Sequence, residues 1–436
     1  MKHSLALAGL VFVLASGGEG ADRVHAGKGS FPRWRALTLP TDAPLVWMVA
    51  LPNRMAAIDS EGTFWLLEVA DSGLRVVGHY GEVGSPDGPP VAVRLGGGET
   101  GVAFAARDGR LLLWWNGSLR SLHVGAPLSP LTAPAPLDVS GRGHDELVAV
   151  GKDGGLLLIG GLPTAPRVLA HLAVPALPDS RIAVGDLDGD GIFEALILSD
   201  PTARYPHGIL GDRTEAGGLA AVEVRAFGLT VKGRYALPEK AVFEDLTPLL
   251  ADLAGDGRRE VLLTKSYVDK GAAVAALAWN GSRLVPFAEA PALGRQNRWT
   301  NVLGAADLDG DGVPEVLTVH TPHIGGVLTA YHRKDSALVA VAHASGYSSH
   351  AVGSRNQDQA AVADLNGNGR PEVILPRQSR DSLAGLELTG AQFVERWTFR
   401  LRGTISSNLV IADLDGDGLL DLGVADTHGL HVLLSR

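Results

Sequence analysis

The chain has no cysteine in 436 residues. That absence excludes disulfides, thiolate metal sites, thioether haem attachment and a lipid anchor on a thiol. Aromatic residues are sparse, at 6%. Charged residues form no run of one sign and no basic tail, which argues against a nucleic-acid partner. No apolar run reaches the length of a membrane span. No stretch carries the period of a long amphipathic helix. A nucleophile elbow, a phosphate loop and a zinc-protease motif are all missing.

Glycine (56 residues) and proline (25) are plentiful, and hydrophobic residues make up 45%. This mixture suits many short strands joined by turns around a large core. At the N-terminus Lys2-His3 precedes an apolar stretch from Leu5 to Leu14, with small residues from Ala15 to Ala21. That order predicts an export signal and leader over residues 1–26 and a secreted or periplasmic mature protein. A single folded domain is expected over 31–436.

The strongest pattern is a repeated acidic loop. Asp186, Asp188, Asp190 and Glu194 stand at positions 1, 3, 5 and 9, with Gly191 at position 6. The same spacing returns in Asp307, Asp309, Asp311 and Glu315, and in Asp413, Asp415, Asp417 and Asp421. Two weaker copies read Asp252, Ala254, Asp256, Glu260 and Asp364, Asn366, Asn368, Glu372. A relic at Asp138, Ser140, Arg142 and Glu146 has an arginine where a donor belongs. Oxygen donors on alternate residues point into one loop, and the glycine takes its sharp turn, which is what a hard divalent cation requires. An EF-hand is excluded, because position 12 is Ile197, Thr318 or Val424 and the flanking segments read as strands. Much of the net charge of −10 resides in these loops, so it says little about partners.

From first aspartate to first aspartate the copies are 48, 66, 55, 57 and 49 residues apart. That is the length of a four-stranded propeller blade with its loops. Small apolar residues precede each loop, as in Ala360-Ala361-Val362-Ala363, and an apolar strand follows it. Asn-Gly pairs at Asn116-Gly117 and Asn280-Gly281 predict hairpin turns and account for both asparagines. The expected fold is an all-β propeller of four-stranded antiparallel blades near 45–80, 89–124, 135–170, 181–235, 246–288, 301–342 and 358–400. An eighth blade takes three strands from 408–435 and a fourth from Trp34–Leu39, which closes the ring. Seven blades is the alternative. Calcium-loop blades are expected over about 181–436.

These loops resemble the FG-GAP/VCBS repeat, the calcium-bearing blade of integrin-α-like propellers. The resemblance covers about residues 135–436 through the motif, and 31–134 through strand rhythm alone. It implies three to five structural calcium ions. The loops at Asp186, Asp307 and Asp413 match fully, the one at Asp364 with less charge, and the one at Asp252 lacks the third donor. The family includes adhesion receptors, lectins and enzyme domains, so the motif does not specify an activity.

In such a propeller the calcium loops share one face. The opposite face would collect Arg204, Tyr205 and His207 from the long loop between Asp200 and Gly218. It would also collect Tyr267, Arg295, Arg298, Trp299, Tyr347, His350 and Arg355. Long loops on a rigid scaffold are common binding sites, and aromatic and arginine side chains anchor partners. The expected function is a non-catalytic module that binds a protein or glycan there. Alternatives are a polysaccharide-binding lectin, a lyase-like enzyme using Tyr205, His207, Tyr267 or His350, and a subunit of a larger cell-envelope complex. His320, His323, His332, His343 and His350 lack metal-ligand spacing.

Overall fold

The computed structural model describes residues 25–26, 34–70 and 72–436. The expected export signal lies outside the described residues, apart from His25–Ala26, which pair with Thr398 and Trp397 at a sheet edge. Every regular element among the described residues is a β-strand, save one 3-10 turn at Gly96–Gly98.

The strands form antiparallel four-stranded meanders. Leu45–Leu51, Arg54–Asp59, Phe64–Ala70 and Gly73–Tyr80 make the first. The pattern recurs over 91–122, 135–172, 183–236, 249–289, 300–345 and 361–400. The last three strands, Val410–Ala412, Asp421–Asp426 and Gly429–Ser435, take a fourth from the start of the chain. Trp34–Pro40 runs antiparallel along Gly429–Ser435, with Trp34 opposite Ser435 and Pro40 opposite Gly429.

One difference from the expected separate blades lies in the middle of the chain. Glu215–Arg225 is 11 residues long, and at its start Ala216 meets Phe243 of the extra strand Ala241–Phe243. That strand also pairs with Glu260–Tyr267, and Glu289 bridges to Ala337. The meanders over 183–345 therefore merge into one sheet of 13 strands.

Turn chemistry follows the sequence at Asn116 and Gly117, where φ of 48° and 73° gives the twist a tight hairpin needs. Asn280 works differently. Its side-chain oxygen accepts the backbone N–H of Ser282 and Arg283, both at 3.1 Å, and only Gly281 has positive φ.

A register shift recurs between third and fourth strands, at Leu66/Leu67, Leu158/Ile159, Ala221/Val222, Ala276/Leu277, Ala330/Tyr331 and Gly385/Leu386. Each shift leaves one extra fourth-strand residue: Val77, Leu169, Lys232, Phe287, Val341 or Arg396. Such bulges bend the outer strand and increase its twist.

The core lies between meanders. Phe64 and Leu66 pack with Phe104 and Trp114, and Leu111 and Leu113 with Leu147 and Ile159. Val148 and Leu158 meet Ile197 and Val222, and Leu196 and Leu219 meet Leu263 and Leu277. Leu262 and Val274 meet Val316 and Tyr331, and Leu317 and Leu328 meet Leu375 and Leu386. Ile374 and Trp397 meet Leu422 and Leu433. Finally Val410, Val432 and Leu434 pack on Met48, Met55 and Leu67, so the last group of strands rests on the first. Each fully buried large side chain contributes roughly 1.5–3 kcal/mol. First strands and the segments leading into them line a cavity whose wall is apolar at Leu249, Val302, Leu303, Ala361 and Leu409 and polar at Asp245, Thr247, Gln357 and Asp358.

Deleting Trp34–Pro40 should leave Gly429–Ser435 as an unpaired edge. The expected result is a lower melting temperature and concentration-dependent self-association in sedimentation. A truncated chain that stays monomeric with an unchanged melt would show that this pairing contributes nothing.

Candidate metal centres and the opposite polar end

Each acidic loop follows the first strand of its meander and ends on the first residue of the second, as Ala183–Gly185 leads through the loop to Glu194–Thr202. Two carboxylates shape it. The first-position aspartate accepts backbone N–H groups from positions 4 and 6. Asp186 takes those of Gly189 (2.6 Å) and Gly191 (2.9 Å), Asp307 those of Gly310 (2.7 Å) and Gly312 (2.9 Å), and Asp413 those of Gly416 (2.9 Å) and Gly418 (3.0 Å). These glycines hold φ near 80–90°, a region closed to most side chains. The ninth-position carboxylate is buried and accepts the N–H of position 2. Glu194 takes Leu187 (2.9 Å), and Glu260, Glu315, Glu372 and Asp421 take Leu253, Leu308, Leu365 and Leu414 (2.8 Å each). The relic keeps both contacts, through Asp138 to Gly143 (2.8 Å) and Glu146 to Val139 (3.1 Å). The loop shape therefore does not require a complete donor set.

Donor oxygens converge within 4.8 Å in the groups Asp186, Asp188, Glu194; Asp307, Asp309, Asp311; and Asp413, Asp415, Asp421. These groups fit a hard cation. Asp188 Oδ1 is buried without a hydrogen-bond partner, an open acceptor inside its loop. Burial pushes the Asp421 and Glu372 carboxyls each up to about 7, with neighbouring carboxylates adding to the effect. Glu194, Glu260 and Glu315 shift upward for the same first reason. A bound divalent cation would oppose these shifts.

The Asp364 loop differs from the expectation of simple charge loss. Glu387, on the third strand opposite Glu372, accepts the side-chain amides of Asn366 (2.9 Å) and Asn368 (2.7 Å). Arg396 pairs with the same carboxylate at 2.7 Å. The Asp252 loop, with Ala254 at the third position, forms no such converging group among the described residues. His332, which its spacing set aside, reaches Glu315 and stands beside Asp309. Lys232 and Arg436 also touch loop carboxylates.

The other end of the meanders departs from the expected open surface. The chain between Thr202 and Glu215 folds over it, and Ile209 and Leu210 pack on Leu246 and Trp299. Tyr205, Trp299, Tyr347 and His350 are all buried. Tyr205 Oη accepts the Asn297 N–H at 2.9 Å, and Trp299 Nε1 donates to the Glu244 carbonyl at 2.9 Å. Tyr347 Oη donates to Glu395 at 2.8 Å. His207 Nδ1 lies 2.5 Å from Glu244, whose other oxygen accepts Ser266. The Ser354 carbonyl, 2.9 Å from His350 Nε2, can only accept, so His350 carries its proton there. Its Nδ1 then receives the His323 Nε2 proton at 2.9 Å. Burial lowers both imidazoles, to about 4 for His323 and about 3 for His350.

Arg355 is mostly enclosed and joins Asp179 (3.0 Å) and Asp212 (2.8 Å). Arg181 pairs with Asp358, donates to the Arg355 carbonyl at 2.8 Å and lies over the Trp47 ring. Asn356 donates to the Val46 carbonyl at 3.2 Å, and Gln357 to Asp245 at 2.9 Å. The segment 347–358 thus crosses this end and ties together meanders far apart in sequence. Arg204 donates to the Ala241 carbonyl, and Tyr267 pairs with Glu289. Arg295 is exposed and Arg298 half-buried. Sequence reasoning missed the buried carboxylates Glu215, Glu244, Asp179 and Asp245, which carry no spacing signal.

Glu215 generates a pH prediction. Burial, then the charge of Glu244, pushes its carboxyl up to about 10, against an unfolded value of about 4.3. The folded protein holds this proton more tightly, so the associated stability is full below about pH 4 and falls as pH rises toward 10. Glu215→Gln should raise the melting temperature at neutral and alkaline pH and flatten its decline. A variant melting profile parallel to wild type from pH 5 to 9 would contradict this.

A search of the curated proteins finds no match. A family model described as the FG-GAP-like repeat matches residues 252–318 and 364–424. The matched spans contain the loops at Asp252, Asp307, Asp364 and Asp413. The loop geometry and the family match agree: the chain carries FG-GAP-like repeats.

Proposed function

We propose that this protein is an exported, calcium-stabilised β-propeller of eight blades that binds another macromolecule without catalysis of its own. The observation carrying the reading is the repeated convergence of loop carboxylates at Asp186, Asp307 and Asp413. Counting the meanders, with Trp34–Pro40 completing the last, supports eight blades. The packing of Val410 and Val432 on Met48 and Met55 supports closure. Each calcium would neutralise several carboxylates in one turn and hold the first strand to the second. No helix among the described residues is long and apolar enough to cross a membrane.

Binding is favoured over catalysis because Tyr205 and His350, two of the four acid/base candidates for a glycan-cleaving site, are buried, and the half-buried other two, His207 and Tyr267, are held by Glu244 and Glu289. Residues exposed on the loops of that end include Arg213, Lys270 and Arg295 with the apolar Ile324 and Val352. This mixed surface is the proposed partner face, with Arg298 beside it.

Extracellular calcium modules bind at about 10⁻⁴–10⁻³ M. At 10 mM calcium, one such site adds about 1–3 kcal/mol. Asp309→Ala should lose one equivalent in calorimetric titration and lower the melting temperature in calcium but not in chelator. Identical melts of both proteins in both conditions would remove the metal from that loop. Charge reversal at Arg295 and Arg298 together should abolish capture of a partner from envelope and secreted fractions, with the melt unchanged. Undiminished capture would move the face elsewhere.

A further inference from the structure

The loop at Asp186 has every donor and also a fixed cation against them, as the Asp413 loop has in Arg436, 2.8 Å from Asp415 and 3.1 Å from Asp417. Lys232 reaches into the Asp186 loop from the fourth strand of the same meander. Its ammonium lies 2.7 Å from Glu194 Oε1, 2.8 Å from Asp188 Oδ2 and 3.6 Å from Asp190 Oδ2. The lysine side chain is only 15% exposed, so water screens this contact poorly. The ammonium also lies over the Trp279 ring, 5.8 Å from its centre.

The position of Lys232 explains the reach. Ala221 pairs with Gly233 and Val222 with Val231, so Lys232 is the extra residue of the bulge. The same bulge in the Asp307 meander carries Val341, and in the Asp252 meander Phe287. In the Asp364 meander it carries Arg396, which pairs with the loop-facing Glu387. One backbone feature therefore delivers either a cation or an apolar side chain at equivalent places.

We propose that Lys232 is a resident counter-cation of the Asp186 loop, and that the bulge residue sets how strongly each loop depends on calcium. An ammonium bridging Asp188, Asp190 and Glu194 supplies part of the positive charge that calcium brings elsewhere. It also repels an ion held by the open Asp188 Oδ1. The Asp186 loop is then formed without metal and takes calcium weakly. The Asp307 loop, with Val341 at the bulge, relies on the ion.

This inference rests on the calcium reading above, and the test separates the two. Calcium titration by calorimetry, with melting curves in calcium and in chelator, is run on wild type, Lys232→Met and Val341→Lys. Lys232→Met keeps length and removes charge. It should bind one calcium at least tenfold more tightly than wild type, melt lower than wild type in chelator, and recover in calcium. Val341→Lys should lose affinity at one site by a similar factor. If wild type binds calcium and Lys232→Met matches it in number and affinity, the role of Lys232 is overturned and the calcium reading stands. If wild type binds none and Lys232→Met acquires a site, the lysine role stands and the general calcium reading falls. Absence of calcium from all three proteins overturns both.

Discussion

From the third meander onward, the structure depends on a carboxylate bonded to its own backbone at each turn between first and second strands. The ninth-position residue is buried at the start of the second strand and takes the N–H of position 2, while the first-position aspartate gathers the N–H groups of the glycine turn. Together they set the direction in which the second strand leaves. Hydrogen bonds to charged acceptors are worth about 1.5–3 kcal/mol each, against roughly 1 for neutral ones. A repeat of such turns can orient strand after strand in a chain that has no disulfide to do so. The relic at Asp138 shows that the turn can survive when a donor at position 5 is lost, since Arg142 stands there. The geometry comes with the backbone bonds, and metal affinity would be added by the remaining side chains.

The two ends of the meanders handle charge in opposite ways. At the acidic loops, carboxylates are crowded, and basic side chains external to the loop (Lys232, His332, Arg396, Arg436) approach them or their neighbours. At the far end, carboxylates are buried one by one and matched to fixed donors. Arg355 is placed between Asp179 and Asp212, and Gln357 holds Asp245. Breaking a buried pair costs more than a surface pair because it strands a charge. The far end is thus tied by buried pairs, and the crossing segment 347–358 joins parts of the chain that share no strand pairing.

Strand rhythm and the loop donors were legible in the sequence because both have a short, fixed period: alternate residues in a strand, and alternate oxygens around a glycine. Asp307, Asp309, Asp311 and Glu315 needed no tertiary information. The merging of 183–345 into one sheet was not legible, because it rests on single-residue bridges such as Ala216 to Phe243. Lys232 was hidden for a related reason. A bulge adds one residue and breaks the alternation by which facing side chains are recognised. The histidines were adjacent in sequence, yet the fold sends His332 to the acidic loops and joins His323 to His350 at the other end. Tyr205 and Trp299 read as loop residues and so as surface, but a loop that folds back over its own scaffold buries what it covers.

The pairing of Trp34–Pro40 with Gly429–Ser435 has a consequence in time. Its two halves lie near the two ends of the described residues, so the pair cannot form until the residues between Pro40 and Gly429 have been made. At about 5–20 residues per second, the early strand waits for tens of seconds. During that interval Trp34, Leu37 and Leu39 have no partner strand, and neither does the open side of each meander until the next one arrives. Contacts that close so large a loop form late and slowly. A nascent chain of this protein is thus most exposed to chance pairing with its neighbours until Gly429–Ser435 emerges, and holding Trp34–Pro40 apart until then falls to whatever accompanies the chain during synthesis.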